Sequence, residues 1–368
     1  MQILRRALVW TPVAVAVALF LAPIEPALVE RVYSDRLYLQ FQPRLTRFSN
    51  QLPFAAFDLI LALTAVMVLG VVLAAIVSLR RAPWWRVLGT AVVRMLAIGA
   101  LLYIWFLGVW GFNYRRVPLI QRLELARGAA TPEIVRDLGR QAVDRLNALH
   151  AAAHAAAWVD PVQDVKLQEA FRTTQGLLGS AQRAAAGRLK SSVIGPYFRW
   201  ASVDGMIDPF ALEVLANPDL LPFEKPFVAG HEWAHLAGYA DESEASFVGF
   251  LTCMRAGVAS QYSAWLFLYW EVSSGLPSAE RAAQGAALAA GPRADVAAVA
   301  ERVRRGQLPR LRRVSWAAYD QYLKANHVEE GVRSYDAVIT LLSRARFKDG
   351  WVPVPLGAVH DAPGGRTP

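Results

Sequence analysis

The pentapeptide His231-Glu232-Trp233-Ala234-His235 has the spacing that metal chemistry needs. Two imidazoles four residues apart lie on one face of a helix and can reach a single zinc ion. Glu232 sits about 100° around the helix from His231, close enough to touch a water on the metal without ligating it. A carboxylate there suits a general base, taking a proton from water that zinc has already acidified. The flanking residues also favour a helix, with Pro226 at the first turn and Gly238 as a left-handed stop. The bland alternative is a surface helix that happens to carry two histidines.

Zinc needs a third protein ligand, and three candidates lie just downstream: Asp241, Glu242 and Glu244. Asp241 with Gly238 completes HExxHxxGxxD, a spacing found in some metzincin-like enzymes. Asp241 and Glu244 are equally spaced as a capping box opening a second helix, which is a purely structural role. On that helix Glu242, Ala245, Ser246 and Gly249 form a narrow stripe of small residues that would let it approach the metal helix closely. Glu244 shares its stripe with Phe247, Val248 and Leu251 and so points toward the core. The order of preference is Glu242, then Glu244, then Asp241.

The elements that must hold this site begin with a membrane anchor. Hydrophobic residues make up 55% of the 368-residue chain and charged ones only 19%, both away from an ordinary soluble protein. Three apolar spans are expected, at about 7–24, 54–79 and 88–112. Asp58 and Arg94 fall inside the second and third spans, so either they meet and offset two intramembrane charges or each sits near an interface and snorkels. Arg5, Arg6, Arg80, Arg81 and Arg86 would be cytoplasmic by the positive-inside rule, which leaves everything after Phe112 outside. Arg31, Arg36, Arg44, Arg47, Arg115 and Arg116 weigh against that orientation. The net charge of +9 is scattered, with no basic stripe, so nucleic-acid binding is not expected. Cys253, the only cysteine, excludes an internal disulfide and a cysteine metal site, and is expected to be buried and inert.

After Asn113 the pattern turns helical, at Pro132–Ala157, at Val165–Gly187 and again from Pro226 to Arg346. Ser278–Arg305 reads as a helix pair with a loose link. Ser191–Ala216 reads as short extended pieces, Val193–Phe198 and Met206–Phe210, and the first could offer a strand edge to a peptide. The Gly/Pro-rich end, 357–368, reads as a disordered tail.

HExxH followed by Glu242, Ala245 and Ser246 resembles the gluzincin-type peptidases, in which a following helix carries E-x-x-A and a small polar residue. Ser246 stands where Asp or Asn is commoner. The resemblance implies that it orients a ligand histidine. The chain is also similar to an uncharacterised bacterial family of membrane-anchored, HExxH-bearing metallopeptidase-like proteins, known only as a domain of unknown function. The residues that carry this are Pro53-Phe54 with Asp58, Trp110-Gly111-Phe112-Asn113-Tyr114-Arg115, Pro209-Phe210, the HExxH region, and Ser334-Tyr335 with Leu341-Leu342. It implies a three-span anchor, a largely helical zinc domain and no known substrate.

His150 and His154 also stand four apart, but no glutamate follows the first, and a solvated helix face is the preferred reading over a second metal site. Tyr262, Tyr319, Tyr322 and His327 are candidates to steady an oxyanion. The expectation is a mainly α (α+β) chain: a three-helix anchor over 1–112, then a zincin-like metallopeptidase domain with a small sheet over 113–356. Zn2+ would be held by His231, His235 and Glu242, with Glu232 as the base. Its partners would be the lipid bilayer and a peptide or protein substrate at the bacterial cytoplasmic membrane, with the catalytic domain extracytoplasmic. The rival from another class is a non-catalytic scaffold whose zinc site is structural or degenerate.

Overall fold

In the computed structural model, which describes residues 2–126, 131–326 and 337–356, the amino end is helical from the outset. α1 (Gln2–Leu21) gives way to α2 (Pro26–Leu28), a π-helical stretch over Val29–Tyr38, and α3 (Leu39–Gln51). The chain bends by 112° between Trp10–Leu21 and Pro26–Gln51. Pro23 and Pro26 remove the backbone donors that a continuous helix would need. Arg115 satisfies the carbonyls left open at the end of α1, donating to Leu19, Phe20 and Ala22 at 3.1–3.2 Å. α4 (Ala56–Ser78) and α5 (Trp84–Val109) are both long and apolar enough to cross a bilayer. The bent pair makes a third span only if it is counted as one; α1 covers most of the expected first span over 7–24 and ends at Leu21.

Asp58 does not meet Arg94. It lies in the first turn of α4 and accepts hydrogen bonds from the Ser192 hydroxyl and, at 3.2 Å, from Val193 N. The intramembrane pair is therefore corrected: the carboxylate ties α4 to the segment beyond the membrane helices.

That segment opens with α6 (Pro132–Ala155) and α7 (Val165–Leu177). The second helix ends ten residues before the expected Gly187, because Gly179 turns left-handed at φ +88°. β1 (Leu189–Lys190) follows, then α8 (Gly195–Ala201), β2 (Gly205–Asp208) and β3 (Glu213–Ala216). Val193–Phe198 is thus not the expected extended piece: Pro196 starts a helix instead of breaking one. The sheet order is β1-β3-β2, with β1 parallel and β2 antiparallel to β3 and Gly205 opposite Ala216. Among the described residues β2 has no second partner, so one of its edges is free.

α9 (Lys225–Leu236), α10 (Glu242–Met254) and α11 (Val258–Gly275) form the centre. α12 (Ser278–Ala287) and α13 (Ala290–Gly306) are the expected helix pair, followed by α14 (Pro309–Ala325) and α15 (Ala337–Arg344). A short hairpin, β4 (Phe347–Lys348) with β5 (Val352–Pro353), had no sequence signal that we recognised. The expected tail over 357–368 lies outside the described residues.

α9 and α10 cross where both are bare. A Cβ on Gly249 would stand 2.8 Å from His231 N, and one on Gly230 would stand 3.2 Å from the Gly249 carbonyl. One hydrophobic cluster joins Tyr38 and Trp110 from the amino-terminal region to Trp233, Phe247 and Leu342. Burial of that scale fixes the metal helix against the membrane-proximal segment.

Candidate metal centre

α9 brings His231 and His235 to one face, and their Nε2 atoms lie 3.1 Å apart. Glu242, the first residue of α10, places Oε2 at 3.2 Å and 3.3 Å from those two nitrogens. The three ligand atoms are close enough together to surround one ion. The other ring nitrogens are tied off: His235 Nδ1 is 2.7 Å from the Tyr239 carbonyl and His231 Nδ1 is 3.1 Å from Ser246 Oγ. A carbonyl can only accept, so His235 donates from Nδ1, which leaves Nε2 as the atom that faces His231 and Glu242. Ser246 stands where the resemblance put it.

The competing third ligands point elsewhere. Asp241 caps α10, its Oδ1 accepting from Ser243 N at 2.8 Å and Glu244 N at 3.1 Å. Glu244 accepts from Leu119 N, and burial followed by the Asp241 charge pushes its carboxyl up to about 7. The capping box is half formed, because Asp241 caps while Glu244 turns to the Leu119 turn rather than back to the cap.

The charges fit a metal centre. Burial alone would raise Glu242, but His235 and His231 hold its carboxyl well below the usual range, so it stays ionised. Burial works against a proton on His235, yet Glu242 raises that imidazole to about 9. Glu232 is 3% exposed. Burial raises its carboxyl, His231 and His235 oppose the rise, and Glu242 and Asp204 add to it. Space for Glu232 comes from Gly205 on β2, where a Cβ would stand 2.8 Å from Oε1. Glu232 Oε2 is buried with no hydrogen-bond partner among the described residues.

These groups sit on the floor of a cavity of about 1090 Å³, walled by β2, α11, α13 and α14. Tyr319 of α14 donates to Glu242 Oε1, and its ring stacks on Tyr322. Both tyrosines therefore reach the site, as the sequence reading allowed. Tyr262 does not: its hydroxyl donates to Asp295 Oδ2 at 2.5 Å. His150 and His154 lie on a partly solvated helix face, as expected, and also neighbour Asp295, their Nε2 atoms 3.5 Å and 2.8 Å from Oδ2. His327 lies outside the described residues, as do Ser334 and Tyr335. Cys253 is fully buried, its Sγ 3.5 Å from the Pro226 carbonyl, and burial pushes the thiol up, in keeping with an inert residue.

Three side chains that sequence reasoning did not assign to the site secure the end of α9. Trp110 donates to the His235 carbonyl at 3.0 Å, Tyr38 to that of Leu236 at 2.7 Å, and Arg116 to that of Gly238 at 2.9 Å. Arg116 is itself held by Glu30 in two hydrogen bonds of 2.8 Å and 2.6 Å. Gly238 turns at φ +86°, and a Cβ there would stand 2.9 Å from Asn113 Oδ1. The Trp110–Arg115 run was the signal for part of this brace. Tyr38 carried none.

A family described as "Protein of unknown function (DUF3810)" matches residues 33–343. No curated protein and no solved structure matches the chain.

Proposed function

The chain belongs to this family of unknown function, and from the geometry of the site we propose that it is a membrane-anchored zinc metallopeptidase. One observation carries the reading: His231, His235 and Glu242 converge on a point beside a buried carboxylate, Glu232, whose Oε2 has no hydrogen-bond partner among the described residues, at the floor of a large cavity.

Zinc suits the residues present. Two imidazole nitrogens and one carboxylate oxygen are its common donors. Glu242 Oε2 is buried, no hydrogen bond of good geometry reaches it, and a cation facing it would satisfy it. When bound, zinc supplies Lewis acidity, making water more acidic and polarising the carbonyl of a scissile bond. Glu232 takes the proton from the attacking water on a carboxylate oxygen and returns it to the leaving nitrogen. Burial supports the second half of that task, because a raised carboxyl holds the proton long enough to deliver it. Tyr319 fixes Glu242 from the far side. The free edge of β2 can pair with an extended peptide laid across the cavity, the role the sequence had suggested for Val193–Phe198.

With Arg5, Arg6, Arg80, Arg81 and Arg86 on the cytoplasmic side, three crossings would set the cavity outside a bacterial cytoplasmic membrane. Proteins or peptides of the envelope are then the substrates.

Metal content of purified full-length variants tests the ligand set. Relative to wild type, His231→Ala and Glu242→Ala are expected to lose one zinc per chain, while Asp241→Asn, Glu244→Gln and Glu232→Gln keep it. Unchanged zinc in His231→Ala would overturn the reading and leave a scaffold in its place.

A further inference from the structure

His150 and His154 lie one turn apart on α6 and both present Nε2 to the same atom, Asp295 Oδ2 on α13, at 3.5 Å and 2.8 Å. Tyr262, from α11, donates to that oxygen at 2.5 Å. Three groups thus crowd one carboxylate oxygen, which offers two lone pairs. The Tyr262 hydroxyl and one imidazole N–H would fill both lone pairs and leave the other Nε2 without a place, whereas a cation shared by the two Nε2 atoms and Oδ2 would engage all three polar atoms. The two nitrogens and the oxygen lie close enough together to bind one ion.

The cluster repeats the pattern at the cavity floor. There, too, two histidines four apart use Nε2, a neighbouring helix supplies the carboxylate, and a tyrosine hydroxyl rests on that carboxylate. We propose that His150, His154 and Asp295 form a second divalent-metal site, for zinc or a similar borderline cation, with Tyr262 as the group that orients Asp295. Two imidazoles and a carboxylate select this class of ion over calcium or magnesium.

The site is built for fastening rather than for hydrolysis. Ala151 stands where a base would follow the first histidine. The His150 ring presses on the first turn of α13, where a Cβ on Gly291 would lie 2.3 Å from it. Trp158 and Phe223 flank His154, with ring centroids 5.5 Å and 5.9 Å away. His150 and His154 keep 26% and 33% of their side chains exposed, so an ion can enter from solvent. One turn beyond Asp295, Val299 begins the stretch of α13 that walls the large cavity. An ion joining α6 to α13 would therefore hold that wall in place.

The test is zinc stoichiometry of full-length protein in detergent, by equilibrium dialysis against Zn2+ and elemental analysis. Wild type is expected to bind two ions per chain. Asp295→Asn and His154→Gln are expected to bind one, and the ion they keep is the one that His231→Ala removes. Tyr262→Phe retains both ligand sets and is expected to bind the second ion about 10- to 100-fold more weakly. Circular dichroism checks that each variant is folded; should Asp295→Asn fail it, His154→Gln and Tyr262→Phe decide. Equal stoichiometry in wild type and in the folded Asp295→Asn or His154→Gln variant, whether one or two, overturns the proposal. Loss of binding in His231→Ala alone would support only the site at the cavity floor.

Discussion

Two clusters in this molecule share a donor set and differ in their surroundings. At the floor of the cavity, His231, His235 and Glu242 are largely buried between α9 and α10, with Glu232 alongside. On the flank, His150, His154 and Asp295 lie partly open between α6 and α13, with no carboxylate in the corresponding place. Ligand spacing alone therefore does not make a hydrolytic site. What distinguishes the first is a buried carboxylate beside the histidines, Glu232, a large cavity above it and a strand edge with no second partner among the described residues. Its helix crossing is also tighter, because Gly230 and Gly249 let α9 and α10 meet backbone to backbone. That contact, with the brace from Tyr38, Trp110 and Arg116, fixes α9 and α10 relative to one another and so the placing of His231, His235 and Glu242.

The largest effect should come from exchanging the one group that separates the clusters. Glu232→Gln is expected to keep its metal and lose about 100- to 10,000-fold in peptide hydrolysis, measured with a fluorogenic peptide mixture. The reciprocal change, Ala151→Glu, should create no activity in a chain whose His231 is replaced by Ala, because the flank has no cavity. Activity gained there would erase the distinction.

Next in size is the helix crossing. Gly249→Ala puts a methyl group 2.8 Å from a backbone nitrogen that cannot move alone. Urea unfolding should show a loss of about 1–3 kcal/mol, and the folded fraction should bind metal more weakly at the cavity floor and normally on the flank. Smaller again are the two tyrosines. Tyr319→Phe should weaken binding by about 10- to 100-fold at the first cluster only, mirroring Tyr262→Phe at the second. Equal effects on both sites would mean that the clusters are coupled.

The last effect, on the pH dependence of stability and not on metal or activity, concerns Asp208, on the strand that only the first cluster has beside it. Burial raises this carboxyl to about 7, against the backbone donors of Phe210 and Ala211. In the unfolded chain it ionises near the usual value of about 4. Its contribution is therefore fully present below about pH 4 and is lost as the pH rises toward 7. Asp208→Asn cannot titrate, so its stability relative to wild type should improve by about 4 kcal/mol between pH 4 and pH 8, at about 1.4 kcal/mol for each pKa unit. No change in that difference would refute the assignment.

The legible parts of the sequence were those whose meaning is local. HExxH, the small stripe through Glu242 and Gly249, the Asp241 cap and the Gly238 turn all follow from spacing along one or two helices, and each is found as expected. The misreadings have distant partners. Asp295 lies 141 residues from His154, so nothing near His150 and His154 marked them as more than a helix face. Asp58 found Ser192, 134 residues away, rather than the nearer Arg94. Val193–Phe198 failed for a different reason: its β-branched residues suggested a strand, while Pro196 pre-set the first turn of a helix and Phe198 was buried by packing. Of the brace on α9 only the Trp110–Arg115 run left a signal, because the carbonyl groups that Tyr38 and Arg116 meet leave no mark in a sequence.

The most direct test of the central claim is cleavage by the full-length protein reconstituted in lipid vesicles, with a denatured-protein peptide mixture as substrate and mass spectrometry as the readout. Wild type and Glu232→Gln would be compared at equal, measured zinc content. The account predicts new peptide termini with wild type and none above background with Glu232→Gln. Equal cleavage by the two, or none by zinc-loaded wild type, would contradict it.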